Sequence, residues 1–384
     1  MPDLLDIVGQ DAALTHLQRA MHSARSPHAW LFSGSIGVGR RTAAVAWAKV
    51  LLCEQPATRP NAGRLPDLPG DFPLRLACAR CPSCRAVDAG LHADFHLITK
   101  ELLQYHPDPK VRDRVMQDLG IDVIREFLIA PAGRAPTGGK GKVFVVLEAD
   151  LLSEPAQNAL LKTLEEPPRG VTIILIASQA ESLLPTTLSR CRLVNFFPLP
   201  ADFVRQRLIA SGVEAEQAAF WAGYTAGSLG EALRLAAREM YPVKRELLER
   251  LADPDPAAEA ALADWLTKTA EALADRLVAE AKADQSTELS RQLANRRAAA
   301  TVLPMMASVF RDALTVATGA DRVLVHADQP QAATTLAGRF SVAQLAAVVE
   351  QLDSCEQLLW RNVNPRLIWD NVAVTVASAA PLRL

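Results

Sequence analysis

The sequence predicts an α/β fold with a parallel β-sheet in the N-terminal half of the chain and helices alone in the C-terminal half. Residues 1–197 alternate short apolar runs with helical patterns, which is typical of βαβ units. From about residue 198 the strand signals stop and long amphipathic patterns follow. The chain has 384 residues, of which 49% are hydrophobic, and is long enough for two or three domains with substantial cores.

Charge and composition limit the classes of function. The 41 Lys and Arg residues nearly balance the 43 Asp and Glu residues, for a net charge of −2. This balance argues against nucleic-acid binding through bulk charge, although it leaves room for a local basic patch. The sequence shows no charged-then-apolar leader and no apolar run near ~18 residues. We therefore expect a cytoplasmic protein without a membrane span.

The first predicted strand runs into a glycine loop in HAWLFSGSIGVGRRT, residues 28–42. The spacing is that of a phosphate-binding loop, whose backbone amides surround phosphate groups. The glycines with this spacing are Gly34, Gly37 and Gly39. Such a loop continues with Lys and then Ser or Thr, which bind phosphate and Mg²⁺, but here Arg40 and Arg41 follow. Thr42 comes one residue late, about 100° further round the helix, so we do not expect it to bind a metal.

Cysteines flank a proline-rich segment that follows the helix predicted after the glycine loop. Residues 54–77 contain five prolines and little apolar periodicity, so we expect an exposed, mobile insertion. In a reducing compartment, clustered cysteines favour a metal site. The spacing predicts a structural zinc module over about 53–84 with the all-sulfur ligand set Cys53, Cys78, Cys81 and Cys84.

Two alternatives to this ligand set remain, and a third lacks residues that it requires. His92 or His96 could replace Cys53 as the fourth ligand, and the cysteines could be free thiols. An iron–sulfur site of the bacterial ferredoxin type needs a further Cys followed by Pro, which residues 85–88 do not supply. A closed shell of four thiolates leaves no position for substrate, so the expected role of the metal is support of folding.

Two further strands are predicted at residues 142–150 and 171–178, whose continuous apolar character fits burial on both faces. A helix that begins after Ser153 connects them. The first of the two strands has Leu147 where a Mg²⁺-binding Asp would lie, next to Glu148 at the place of a water-activating carboxylate. We therefore expect Mg²⁺-dependent hydrolysis to be lost, with Glu148 as a vestigial base. The glycine loop is then either a tight turn without a ligand or a site that binds ATP or ADP without hydrolysis.

Five motifs together resemble bacterial clamp-loader subunits of the AAA+ class: DIVGQ, HAWLFSG, CARCPSC, NALLKTLEEPP and LSRCRL. The resemblance covers most of residues 4–240, and NALLKTLEEPP followed by LSRC is its most specific part. It implies an AAA+ P-loop RecA-like parallel-sheet domain over 1–197 with an inserted zinc module, followed by a small helical lid over 198–242. By position, it also implies an all-helical C-terminal collar domain for oligomerisation over 243–384.

Within this family, the chain resembles the subunit type that does not hydrolyse ATP. The ATP-hydrolysing gamma and tau subunits carry Lys-Thr in the glycine loop, Asp-Glu at the strand end, and an Arg at the position of Gly230. The resemblance implies that Arg190, with Ser189 beside it, acts as an arginine finger on ATP bound to a neighbouring subunit. It further implies a place in the DNA polymerase III clamp loader, with gamma/tau and delta subunits, the sliding clamp and primer-template DNA as partners.

Other interpretations of the same residues stay open. Arg190 could be an ordinary surface ion-pair partner, and the chain could be an active gamma-type ATPase with Glu148 as base. A zinc-dependent DNA-binding protein is a third possibility, which the balanced charge disfavours. Lys140 and Lys142 could contact DNA phosphates or belong to a solvated loop. Gln10 is expected to order the N-terminal turn near the nucleotide pocket.

Overall fold

The computed structural model describes residues 3–23, 26–112, 118–253, 256–283, 289–359 and 363–379. The chain divides into two compact units. Unit 1 comprises residues 1–200 together with 227–230, and unit 2 comprises residues 201–226 together with 231–384. The sheet lies in unit 1, whereas the described residues of unit 2 contain helices and no strand. The predicted fold class is therefore confirmed.

A five-stranded parallel sheet forms the centre of unit 1. The strands of unit 1 are β1 (Ala29–Ser33), β2 (Ala57–Pro60), β3 (Pro73–Leu76), β4 (Phe95–Ile98), β5 (Lys142–Val146), β6 (Val171–Ala177) and β7 (Arg192–Asn195). The parallel sheet has the order β4-β5-β6-β1-β7, and β2 pairs with β3 in a separate antiparallel hairpin. The three strands that the sequence predicts are its central ones.

Helices cover both faces of this sheet. They are α1 (Asp11–Met21), α2 (Arg40–Leu52), α3 (Pro82–Asp88), α4 (Pro109–Arg112), α5 (Ile121–Ile124), α6 (Ala130–Ala132), α7 (Glu154–Glu165) and α8 (Pro185–Leu188). Successive side chains of β1 point to opposite faces. Trp30 and Phe32 therefore pack in one core cluster with α1 and α2, whereas Leu31 packs in the other with α7. Burial on both faces explains why the central strands are continuously apolar.

The helix predicted after Ser153 is α7. The Ser153 hydroxyl accepts a hydrogen bond from the backbone N–H of Ala156 at 3.4 Å and caps the first turn. Leu160 and Leu164 are buried on the side of the helix that faces the sheet. The start of α7 is thus set by the residue that the sequence indicated.

The prediction of an exposed insertion over residues 54–77 is confirmed in part: 14 of its 24 residues are exposed, but the segment also has regular structure and buried side chains. The segment contains the β2–β3 hairpin, and Leu65 and Leu68 are buried in the core cluster shared with α1. Asn61, which is 2% exposed, donates hydrogen bonds through Nδ2 to the carbonyls of Leu65 and Leu68, both at 2.9 Å. These bonds fold the proline-rich loop onto itself, so that its leucines reach the interior without helical or strand periodicity.

Unit 2 is built from α9 (Ala201–Ala210), α10 (Ala215–Tyr224), α12 (Met240–Ala252), α13 (Pro256–Ala283), α14 (Arg291–Thr318), α15 (Pro330–Arg339), α16 (Val342–Leu359) and α17 (Pro365–Ala379). Helix α11 (Leu229–Ala237) carries both Gly230 of unit 1 and residues of unit 2. The lid–collar boundary expected at 242/243 falls inside α12. The division into lid and collar stays a prediction.

A buried ion pair lies in the interior of unit 2. The Lys244 side chain is fully buried, pairs with Asp328, and donates to Gln329 Oε1 at 2.9 Å. Its Nζ also lies 4.5 Å from the centroid of the Phe220 ring. Nearby, the buried His326 ring shares a hydrogen bond of 2.8 Å with the Ser308 hydroxyl. Each of these side chains therefore has at least one partner, although His326 Nδ1 and Asp328 Oδ1 form no hydrogen bond with the described residues.

One helix among the described residues, α14, has the length and apolar composition of a membrane span. However, 61% of its apolar window is buried inside the fold, as in the core helix of a soluble protein.

Candidate functional site

Four cysteines from three neighbouring segments come together in unit 1. Cys53 follows the last turn of α2, Cys78 and Cys81 lie in the turn after β3, and Cys84 lies in α3. Their sulfur atoms all lie within 4.8 Å of one another, with 4.0 Å from Cys53 Sγ to Cys81 Sγ. Zn–S bonds of about 2.3 Å in a tetrahedron place the sulfur atoms about 3.8 Å apart. The predicted cysteines therefore fit a zinc ion.

Backbone amides support negative charge on these sulfur atoms. The N–H of Cys78 donates to Cys53 Sγ at 3.3 Å, and the N–H of Cys84 donates to Cys81 Sγ at 3.4 Å. Hydrogen bonds from the backbone of Arg80 and Cys81 lower the pKa of Cys78 to about 6. Burial raises the pKa of Cys53 and that of Cys84. Burying thiolates costs free energy, and a cation at the centre would offset this cost because its positive charge compensates theirs. Metal binding would then displace the thiol protons.

Neither of the two alternative histidine ligands belongs to the cysteine cluster. The His92 ring accepts a hydrogen bond from the N–H of Asp94 at Nδ1, so its Nε2–H donates to Ser83 Oγ at 2.9 Å. Ser83 in turn donates to the carbonyl of Leu52 at the end of α2. His96 stacks on Phe144 with ring centroids 4.6 Å apart. The structure therefore favours the all-sulfur ligand set.

The arginine that follows the glycine loop is turned into the protein. Arg40 is 7% exposed, and its Nη1 donates to the carbonyl of Ala177 at the end of β6. Its Nη2 lies 3.4 Å from Ser178 Oγ. Burial lowers the pKa of Arg40. The guanidinium thus binds protein acceptors, while Arg41 and Thr42 are exposed.

Residues 227–230, the second segment of unit 1, are hydrogen-bonded to the glycine loop. The N–H of Gly230 donates to the carbonyl of Gly37 at 2.9 Å, and the Ser228 hydroxyl donates to the carbonyl of Ile36 at 2.7 Å. A Cβ at position 230 would lie 3.0 Å from Gly37 Cα and 3.2 Å from Gly37 O. Residue 230 therefore has no room for a side chain on the loop in this conformation.

The end of β5 lacks the arrangement of a Mg²⁺ site. The half-buried Leu147 side chain, at the place of the expected Asp, packs against the core cluster of α1 and α2. Glu148 has a left-handed backbone with φ 51° and lies 3.9 Å from Lys100. The nearby carboxylate of Asp150 accepts the N–H groups of Ser178 and Gln179. Glu148 is thus retained, but the metal-binding carboxylate beside it is replaced by an apolar contact.

Arg190 lies at a surface of unit 1, on the turn after α8. Its side chain is 31% exposed, and Nε donates to Glu165 Oε1 at 2.6 Å. Nη2 also binds this carboxylate, while Nη1 donates to the carbonyl of Thr186 at 2.7 Å and to Ser189 Oγ at 3.2 Å. The surface ion pair that the sequence left open is therefore present. Sequence reasoning missed Glu165, since only the fold brings positions 165 and 190 together.

The contacts of Gln10 agree with its predicted role, whereas those of Lys142 do not agree with a contact to DNA. Gln10 is 2% exposed, and its Nε2 donates to the carbonyls of Val38 and Phe197 at 3.1 and 2.7 Å. It therefore orders the N-terminal turn beside the glycine loop. Lys142 is 6% exposed and donates to the carbonyl of Pro131 at 2.8 Å, so it does not face solvent as a DNA contact. Lys140 is exposed.

Two family models match the chain. The one described as "DNA polymerase III, delta subunit" matches residues 9–200, and the one described as "DNA polymerase III, delta subunit, C terminal" matches residues 266–375. The chain belongs to the DNA polymerase III delta subunit family. The predicted family is thus confirmed, and the second match shows that it extends to the C-terminal helices, which resembled the family only weakly.

The proteins that are similar to the chain include subunits of two kinds, delta' and tau. DNA polymerase III subunit delta' of Escherichia coli is 28% identical over 334 residues, which cover 87% of this chain and 83% of the relative. Subunit tau of the same species is 32% identical over 203 residues, which cover 53% of this chain and 27% of the relative. A gamma subunit-related protein from Thermotoga maritima aligns in structure over 96% of this chain and 99% of that one, with 18% identity and a TM-score of 0.41.

Proposed function

We propose that this chain is a delta-prime-type clamp-loader subunit that does not hydrolyse ATP and supplies Arg190 to ATP on a neighbouring subunit. The complex in this proposal contains gamma/tau and delta subunits, works in the cytoplasm, and loads the sliding clamp onto primed DNA. The observation that carries the proposal is the position of Arg40. The side chain at the place of the phosphate-binding Lys is buried against Ala177 and Ser178.

A second feature supports the loss of hydrolysis. Leu147, at the place of the metal-binding Asp, packs against the apolar core and offers no ligand to Mg²⁺. Phosphoryl transfer depends on the metal and on a cation that contacts the phosphates, so the loss of both removes most of the charge stabilisation. Glu148 alone does not replace these groups.

Arg190 has the properties that a group acting on a neighbouring subunit needs. It lies at the surface, it is held by three acceptors, and its planar guanidinium matches the geometry of phosphate oxygens. A guanidinium at the γ-phosphate stabilises charge that develops during transfer and contributes ~10³–10⁵ in rate. Arg190 is therefore our candidate for the finger.

The cysteine cluster holds a structural zinc ion in this proposal. The ion would be bound by Cys53, Cys78, Cys81 and Cys84, and it would supply folding stability to the module between α2 and α3. Because all four positions of the ion are taken by thiolates, no catalytic step is assigned to it.

The test compares Arg190→Ala with Arg192→Ala in the clamp loader reconstituted with sister subunits, sliding clamp and primed DNA. Arg192 is an exposed arginine two residues away whose side chain binds His16 of α1, which makes it a matched control. We expect assembly to be intact in both variants, and DNA-stimulated turnover at the neighbouring site to fall by about 10³-fold or more in Arg190→Ala alone. Equal turnover in the two variants would refute the finger.

The isolated chain provides the test of the proposal that this subunit does not hydrolyse ATP. With Mg²⁺ and ATP it should show no turnover. Turnover that Glu148→Gln abolishes would instead establish the gamma-type ATPase, and tight, salt-sensitive DNA binding by the lone chain would favour the DNA-binding protein.

A further inference from the structure

The carboxylate of Glu165 occupies one complete edge of the Arg190 guanidinium. Both Nε and Nη2 bind the same oxygen, Oε1, with an Nε–Oε1 distance of 2.6 Å. On the other edge, Nη1 donates to Thr186 O and Ser189 Oγ. A guanidinium has five N–H groups, and these contacts engage four of them. The fifth N–H, on Nη2, is the one that these bonds leave for a ligand.

Both partners of the ion pair are attached to well-anchored segments. Glu165 is the last residue of α7, whose Leu164 is buried in the core. Gln157 of the same helix accepts the N–H of Leu184 at 2.8 Å and the hydroxyl of Thr187 at 3.2 Å, which fixes α8 against α7. The turn that carries Arg190 follows α8 directly. The relative position of the two charges is therefore set by packed helices and not by a loose surface contact.

We propose that Glu165 is a positioning residue for the arginine finger. It holds the Nε edge of Arg190, so that the guanidinium plane has one orientation and these bonds leave one N–H of Nη2 unengaged. An arginine side chain has several rotatable bonds, and donors fixed in advance stabilise a transition state without reorganisation at the moment of reaction. The inference rests on the proposed function, since it concerns how Arg190 performs that role.

The adjacent Glu166 provides a matched control. It is exposed, it lies one residue further along the chain, and no contact of its side chain is seen in the part of the chain that the structure describes. Glu165→Gln keeps the size of the side chain and an acceptor oxygen but removes the charge that binds Nε and Nη2. Glu166→Gln makes the same chemical change at a position that does not touch Arg190.

The experiment measures DNA-stimulated ATP turnover of the reconstituted clamp loader with Glu165→Gln, Glu166→Gln, Arg190→Ala, and Arg190→Ala combined with Glu165→Gln. We expect Glu165→Gln to lower kcat by about threefold to tenfold, the range for a charge-assisted hydrogen bond at a half-exposed site. KM for ATP should stay unchanged, because the finger acts in the transition state. Glu166→Gln should match the unmodified complex.

The double variant separates positioning from a general structural role. If Glu165 acts only through Arg190, the double variant will be as slow as Arg190→Ala alone and no slower. A further loss, or a kcat for Glu165→Gln that is unchanged or raised, overturns the inference even where Arg190→Ala is slow. If Arg190→Ala itself has no effect, the proposed function fails instead, so the two failures are distinguishable.

Discussion

Substitution of Gly230 by Ala tests the contact between Gly230 and the glycine loop. In the middle of a helix, Gly→Ala ordinarily stabilises a protein by about 0.5–1 kcal/mol, because Ala loses less backbone entropy on folding. Gly230 is the second residue of α11, so this gain is an upper limit there, and an added Cβ would lie 3.0 Å from Gly37 Cα and 3.2 Å from Gly37 O. Both atoms belong to the backbone of the loop and cannot rotate away.

The expected magnitude follows from these contacts. Crowding of packed atoms costs about 1–3 kcal/mol, and a weakened hydrogen bond from the N–H of residue 230 to Gly37 O costs about 1 kcal/mol more. After the helical gain is subtracted, Gly230→Ala should destabilise unit 1 by about 1–3 kcal/mol. For a unit of about 200 residues this lowers Tm by roughly 2–12 °C.

The control is Gly223→Ala, which lies in α10 with no atom within 4 Å of the added Cβ. In thermal and urea unfolding followed by circular dichroism, Gly230→Ala should be destabilised, whereas Gly223→Ala should be neutral or stabilised. If Gly230→Ala is also stabilised, the segment does not rest on the loop as the contacts with Gly37 indicate.

Two further predictions concern the metal and pH. Elemental analysis of the purified chain should give about one zinc per chain, lost in Cys81→Ser and kept in Cys355→Ser, whose thiol lies outside the cluster; a folded, metal-free protein would contradict the site. Burial, with a smaller contribution from Lys244, lowers the pKa of His326 from 6.5 to about 3, although Asp328 opposes the shift. Between pH 3 and pH 6.5 the unfolded chain therefore binds one proton more than the folded chain at this residue. The stability of unit 2 should therefore fall as pH drops from 6.5, by up to ~1.4 kcal/mol per pH unit, and His326→Gln should remove this part of the slope in urea titrations at pH 4.5–6.5.

The central strands could be predicted from the sequence, whereas the edge strands could not. β1, β5 and β6 are buried on both faces, so that their sequences are continuously apolar. β4 and β7 lie at the two edges of the sheet and have four residues each, with Arg192 and Asn195 exposed in β7. A short, half-exposed strand has too few apolar positions for a pattern to be recognised.

The folded part of the proline-rich insertion could not be predicted for a different reason. Composition identifies a segment that forms no regular helix, but it does not reveal that one buried side chain can satisfy the carbonyls of an irregular loop. Asn61 does this for Leu65 and Leu68, and Gln18 of α1 pairs with both backbone groups of Arg75 in β3. Such contacts join distant positions and leave no periodic signal.

For the candidate site, the sequence identified the residues but not the directions of their side chains. Spacing was sufficient for the cysteines, because ligands a few residues apart converge on one ion. For Arg40 it was not sufficient, since an arginine after a glycine loop is equally compatible with a phosphate contact and with the buried contact to Ala177. The partner of Arg190 could not be found at all, because Glu165 lies 25 positions away along the chain.

The fixed loop and the surface arginine are parts of one physical argument. In a working phosphate loop, the backbone amides and a neighbouring cation bind the phosphates. Here the carbonyls of Ile36 and Gly37 accept hydrogen bonds from Ser228 and Gly230, which fixes the backbone of the loop, and the Arg40 side chain is buried. A subunit whose contribution is one guanidinium gains from such rigidity, because a donor held in place loses less entropy when it meets the transition state. The prediction is that Gly230→Ala, by loosening the loop, lowers stability while leaving the Arg190–Glu165 pair intact; a matching loss of clamp-loader turnover would show that the two sites are coupled.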